Sequence, residues 1–107
     1  MPTKRLEQLK NMLQSSPTDS FLLFAIAKEQ EKLEEDKEAL KYYNILIQND
    51  PQYVGVYYHL AKLYEKQEVF AQALEIYTKG IQIARQLGDQ HALAELSSAK
   101  LNLEMEL

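Results

Sequence analysis

A stretch of 34 residues is written twice in this chain. Residues 20–53 and 54–87, laid side by side, share eleven identities. They are Ala27/Ala61, Lys28/Lys62, Glu31/Glu65, Lys32/Lys66, Glu34/Glu68, Ala39/Ala73, Leu40/Leu74, Tyr43/Tyr77, Ile47/Ile81, Gln48/Gln82 and Gln52/Gln86. Unrelated windows of that length share about two, so this is an internal repeat. The same shift reaches back to Leu6, Leu13, Gln14 and Pro17, which precede Leu40, Ile47, Gln48 and Pro51. The N-terminal segment therefore reads as the second half of an earlier, degraded copy.

Within each copy the apolar period is helical. Leu40, Tyr43, Leu46 and Ile47 follow one another at three- and four-residue steps, as do Leu74, Tyr77, Ile81 and Ala84. Helices are expected at about 3–14, 18–33, 37–49, 52–66, 70–86 and 90–105. Ser16-Pro17 and Asp50-Pro51 read as helix starts, an N-cap followed by a proline at the first helical position. The joints EED (34–36) and QEV (67–69) are short and polar. Only three Gly and three Pro occur, which favours long regular elements over a turn-rich β fold.

These residues resemble the tetratricopeptide repeat (TPR), an antiparallel helix pair of 34 residues with the pattern W-x2-L-G-x2-Y, A-x3-F and a closing P. The first copy fills the slots with Leu23, Ile26, Ala27, Gln30, Ala39, Tyr43 and Pro51. The second uses Tyr57, Leu60, Ala61, Tyr64, Ala73 and Tyr77, with Arg85 in place of the proline. The small residue that usually stands between the tyrosine and the proline is Leu46 in one copy and Gly80 in the other. Ala27, Ala61, Ala39 and Ala73 would let paired helices approach closely, with large residues filling the remaining space. Without the proline, the fifth helix is expected to run on through Gly88. Beyond it, Leu93, Leu96 and Ser97 follow Tyr57, Leu60 and Ala61 at a spacing of 36, as the first half of a third copy.

The resemblance implies a single all-α domain over 1–107: an α-solenoid of stacked antiparallel helix pairs, about six helices in a right-handed superhelix. Its parts would be a half-repeat helix at 3–17, repeats at 20–53 and 54–87, and a capping helix at 90–107. At 107 residues the chain is one domain in size and long enough to bury a core. Of Leu101, Leu103, Met105 and Leu107, two are expected to face the stack and two to leave an apolar edge.

Catalytic and cofactor chemistry is not expected. There is no cysteine, His59 and His91 lie 32 residues apart without a metal-binding motif, and no serine sits in G-x-S-x-G. The glycines are isolated, so no phosphate loop forms. EEDKE (34–38) reads as a solvated joint whose charge favours the next helix start. A net charge of −4 argues against a nucleic-acid partner. Seven tyrosines sit among these residues, and Tyr43, Tyr57, Tyr64 and Tyr77 fall at core spacings rather than in a stacking groove. The N-terminus lacks the apolar run of a secretory signal. The longest apolar run, FLLFAIA (21–27), is far short of about 20 residues for a membrane span, so a cytoplasmic location without a membrane partner is expected.

Similarity to the family implies a non-catalytic module that holds a peptide or protein in a concave groove lined by the first helix of each pair. Carried onto this chain, the lining positions are Phe21, Phe24, Lys28 and Glu31, then Gly55, Tyr58, Lys62 and Glu65, with His59 beside them. Two lysines at one slot suit a carboxylate-bearing segment. The competing reading is that Lys28–Glu31 and Lys62–Glu65 are surface i,i+3 pairs. The family's chaperone-tail subtype uses a Lys/Asn carboxylate clamp. Here Phe24 stands at the first clamp lysine, Lys28 at its asparagine and His59 at the second asparagine, so that ligand is not expected. Phe21 and Phe24 are expected to pack on the N-terminal helix rather than anchor a partner. The alternative function is a self-assembling unit, a homo-oligomer joined through the terminal helix.

Overall fold

Side-chain caps fix where three of the helices begin. Thr3, Asp19 and Asp89 accept hydrogen bonds from the backbone N–H groups of Leu6, Leu22 and Ala92, each at 3.0 Å. The structure, a computed structural model, describes residues 3–107. Among them are α1 (Lys4–Ser15), α2 (Ser20–Lys32), α3 (Asp36–Asn49), α4 (Gly55–Lys66), α5 (Phe70–Leu87) and α6 (Gln90–Glu106), and no strand. The chain divides into two compact units, one ending at Tyr53 with α1–α3 and one beginning at Val54 with α4–α6.

The two Xaa-Pro signals act at helix ends, not at helix starts, which corrects the sequence expectation. Ser16 is the C-cap of α1 (ψ 68°) and Asp50 the C-cap of α3 (ψ 74°). A proline ring clashes with a helical conformation at the preceding residue, so the chain leaves the helix there. α2 then starts behind Asp19. α4 starts behind Val54, which offers no side-chain cap. The Asp50 carboxylate instead accepts a hydrogen bond from the Ser20 hydroxyl at 2.7 Å, tying the end of α3 to the start of α2.

The joints between paired helices repeat in geometry as well as in sequence. Glu34 (φ 60°) and Glu68 (φ 61°) both occupy the left-handed region. Each lets the next residue close back on the helix: Glu35 N–H to Gln30 C=O, and Val69 N–H to Tyr64 C=O, both at 2.9 Å. The same six-to-one closure ends α5, where Asp89 N–H reaches Ala84 C=O at 3.0 Å beyond Gly88 (φ 69°). With Arg85 in place of a proline, α5 runs past that position to Leu87, 18 residues in all, but contrary to expectation it does not continue through Gly88: Gly88 takes the left-handed conformation and caps it. Asp36 and Glu38 lie in the first turn of α3, where the helix dipole favours them.

In the first unit α2 lies between α1 and α3. Leu6 and Leu9 of α1 pack with Leu22, Ala25 and Ile26, flanked by Leu13, Leu33 and Tyr42. The opposite side of α2 contributes Leu23 and Ala27, buried as are Ala39, Tyr43 and Leu46 of α3. Two polar residues are buried on α2. Glu29 takes the Arg5 guanidinium of α1 at 2.9 Å, and Gln30 fills the slot that holds Tyr64 in the other copy.

In the second unit α5 packs against both α4 and α6. Tyr57, Leu60, Ala61, Ala73, Tyr77 and Ala84 are all fully buried. A Cβ at Gly80 would stand 2.6 Å from the Tyr57 Cβ and 3.1 Å from Leu96. A side chain there would need the Tyr57 backbone to shift, so the close approach of the two helices at this point demands a glycine at 80. The first copy has Leu23 and Leu46 at the same two slots, both buried: two medium residues replace one large and one absent. α6 buries only Leu96, Ala99 and Leu103. Of the four tail residues Leu103 alone is covered, while Leu101, Met105 and Leu107 are exposed, one fewer inward than expected. The reason is spacing: 96, 99 and 103 form one stripe toward α5, and 101 and 105 point away from it. Ser97, aligned with the buried Ala61, is also exposed.

A non-glycine residue held in the left-handed region costs about 1 kcal/mol. Glu34→Gly and Glu68→Gly are each expected to stabilise the protein by about 0.5–1 kcal/mol, read as a rise of a few degrees in Tm by circular dichroism.

Candidate functional site

The first helix of each copy carries the residues singled out from sequence, and the two sets are best taken separately. On α2, Phe21 is 61% exposed and makes no core. Phe24 is half-buried; its ring lies 6.1 Å from that of Tyr43 and 5.6 Å from that of Tyr53. The expectation that both phenylalanines pack inward on the N-terminal helix is therefore corrected. Phe21 faces solvent, and Phe24 turns toward aromatic rings at the α3 side. Lys28, one turn on, is half-buried. Glu31, the next turn, accepts the hydroxyl proton of Tyr43.

On α4 the pattern returns with different rings. Tyr58 meets His59 edge to face at 5.6 Å. The Lys62 ammonium lies 5.7 Å from the Tyr58 ring centre and 3.7 Å from Glu65. Glu65 accepts the hydroxyl of Tyr77. Lys62 keeps 45% of its side chain in solvent while Glu65 keeps 20%. Gly55 opens the helix and has nothing within 4 Å of where a Cβ would stand.

Each copy thus brings a glutamate of its first helix onto a tyrosine of its second. The sequence reading placed Glu31 and Glu65 on the lining and Tyr43 and Tyr77 in the core without joining them. The signal was present: the separation of twelve residues occurs twice, 34 apart. Tyr53 was missed as a ring partner of Phe24, and nothing could have indicated it, because Leu87 stands at its repeat position. Burial, with the hydrogen bond and the negative charge of the glutamate, pushes both tyrosine hydroxyls well above their ordinary value of 10.0. Burial and then Asp50 and Asp19 push Tyr53 up as well.

An open depression of about 560 Å³ lies between α5 and α6, bordered by Leu74, Lys79, Lys100 and Glu104. It includes none of the lining residues singled out on α2 and α4. Among the described residues no three His, Asp or Glu side chains gather as a metal site, and no helix is long and apolar enough to cross a membrane.

No protein-family model and no curated protein matches the chain. Solved structures do. What they share with it is a chain of helical hairpins. A tetratricopeptide repeat domain protein of Salinibacter ruber is 43% identical in its crystal structure, over 80% of this chain and 96% of that one, with a TM-score of 0.76. A solution structure of the domain gives 43% over 82% and 89%, with a TM-score of 0.79. The TPR2B domain of yeast Sti1, in its complex with pHsp70, covers 95% of this chain and 82% of its own at a TM-score of 0.86. At 20% identity that likeness speaks to fold alone. The chain belongs to the tetratricopeptide repeat family.

The raised tyrosines give a pH dependence. Each hydroxyl keeps its proton longer in the folded than in the unfolded chain. Its contribution is complete below pH 10 and is lost as pH climbs from there toward the folded value. Thermal melts from pH 9 to 12 should show Tm falling. In Tyr43→Phe plus Tyr77→Phe the fall should be shallower, although the variant starts lower at pH 7.

Proposed function

We propose that this chain is a non-catalytic interaction module in which the first helix of each copy carries a site for a carboxylate-bearing peptide or protein surface. In this reading repeats at 20–53 and 54–87 carry the ligand, and the helices at 3–17 and 90–107 flank them. The observation that carries the reading is the recurrence of one unit: an aromatic, then a lysine, then a tyrosine-held glutamate. It appears as Phe24, Lys28, Glu31 and again as Tyr58, Lys62, Glu65. Because each glutamate bonds to a tyrosine behind it, part of its charge is engaged there. The lysine beside it keeps a donor for an incoming carboxylate. Phe21, exposed one turn before Phe24, and His59 beside Tyr58 supply apolar and polar contact.

Family membership supports a macromolecular ligand, and Sti1 TPR2B, a structural neighbour, is held in a complex with pHsp70. That ligand is not carried over. Phe24, Lys28 and His59 occupy the positions where the Lys/Asn clamp would need lysine and asparagine. Recognition here rests on two lysines at one slot with an aromatic four residues before each.

Lys28→Glu plus Lys62→Glu reverses both charges at exposed or half-exposed positions. In affinity capture from native cell extract, a partner retained by the unaltered protein should be lost from this variant, with binding at least about tenfold weaker at unchanged helicity. Equal retention by both would remove the lysines from the proposal.

A further inference from the structure

α2 is held differently on its two sides. On one side α3 buries Ala39, Tyr43, Leu46 and Ile47 and adds the hydrogen bond from Tyr43 to Glu31. On the other side α1 buries Leu6 and Leu9, with Leu13 half-buried beside them. Beneath α1 the face of α2 presents Leu22, Ala25 and Ile26, and with them the Glu29 carboxylate. Glu29 is 6% exposed. One repeat on, the same position holds Leu63, also buried, so the register itself does not call for a charge here. The Arg5 Nε–H of α1 donates to Glu29 Oε1 at 2.9 Å, and the Lys32 ammonium of α2 stands 3.8 Å from the same oxygen.

This arrangement makes α1 easy to lift. Burying a carboxylate opposes docking, and an arginine that keeps 61% of its side chain in solvent offsets little of that cost. When α1 leaves, Glu29 gains water and keeps Lys32, so no charge is stranded. The connection does not pin α1 either, because residues 15–19 are all exposed.

We infer that this face of α2 is a helix-binding groove, which α1 fills as an exchangeable strap. α1 itself shows what the groove accepts. The ligand is an amphipathic helix with a basic residue directly before the first of two leucines three apart, as in Arg5, Leu6 and Leu9. The leucines settle among Leu22, Ala25 and Ile26. The basic residue takes Glu29 and fixes the direction in which the helix lies. A helix with glutamate at the basic position is rejected, because it would meet a buried carboxylate. The groove shares no residue with the ligand surface proposed above and is independent of it.

Hydrogen exchange on the intact protein tests the strap. Amides of α1 should exchange at least about tenfold faster than those of α3. Arg5→Glu alters an exposed side chain, so it leaves the core intact. It should speed exchange in α1 by a further factor of about ten while α3 is unchanged, and high salt should act in the same direction. A fluorescent peptide of residues 3–16 tests the groove. In anisotropy titrations it should bind the Arg5→Glu protein, whose strap is loosened, at least about tenfold more tightly than the unaltered protein. The same peptide carrying Arg5→Glu should bind at least about tenfold more weakly. Exchange in α1 at the rate of α3, or unmoved by Arg5→Glu, overturns the strap. A peptide that binds neither protein, or that binds equally well with glutamate at its basic position, overturns the groove.

Discussion

Close approach of two helices within each copy is the constraint on which the structure depends. Ala27 with Ala39, and Ala61 with Ala73, are all fully buried at the slots where paired helices meet. A helix pair that closes so tightly has almost no tolerance at neighbouring slots, because interiors are packed to crystal density. Hence the large-and-absent match of Tyr57 with Gly80 in one copy and the medium match of Leu23 with Leu46 in the other. The same closeness brings Glu31 to Tyr43 and Glu65 to Tyr77. A buried hydroxyl next to a carboxylate gains an acceptor that it would otherwise lack, so the polar end of each core tyrosine is satisfied at the surface-facing edge of the pair.

In the proposed ligand reading, that bond links packing to recognition. The tyrosines are core residues and the glutamates lie on the helix that the ligand reading assigns to recognition. A single hydrogen bond therefore fixes the rotamer of a residue one turn from Lys28 or Lys62. In the second copy this reaches a lysine: Glu65, held by Tyr77, lies 3.7 Å from the Lys62 ammonium, so part of the order at the surface derives from burial beneath it.

Much of this was legible before any coordinates. Eleven identities at one spacing gave the helix pairs, the alanine slots and the run-on of α5 at Arg85, because each follows from period and side-chain volume. Other features were not legible, or only in part. Ser16-Pro17 and Asp50-Pro51 fit a helix start as well as a helix end from sequence, and only the backbone at Ser16 and Asp50 decides between them. Glu34 and Glu68 adopt a conformation that sequence associates with glycine, imposed by the hairpin closure rather than by the residue. Which apolar residues of the tail face inward depends on the helix phase relative to α5, and a helix with leucines on two sides has no single phase to read. The lining residues were legible in part. Their placement on α2 and α4 follows from the repeat, as do the partners Tyr43 and Tyr77, while Tyr53, the second ring partner of Phe24, has Leu87 at its repeat position and so no signature.

The close approach can be tested with one pair of substitutions of identical chemistry. Thermal unfolding of Gly80→Ala and Gly55→Ala compares a glycine 2.6 Å from a neighbouring Cβ position with one that has open space around it. Ala favours helix over Gly at either place, so Gly55→Ala should be neutral or stabilising by up to about 1 kcal/mol. Gly80→Ala should instead lose about 1–3 kcal/mol, as the Tyr57 backbone has to give way. A Gly80→Ala protein as stable as Gly55→Ala would mean that the paired helices have room to spare, and it would contradict the account.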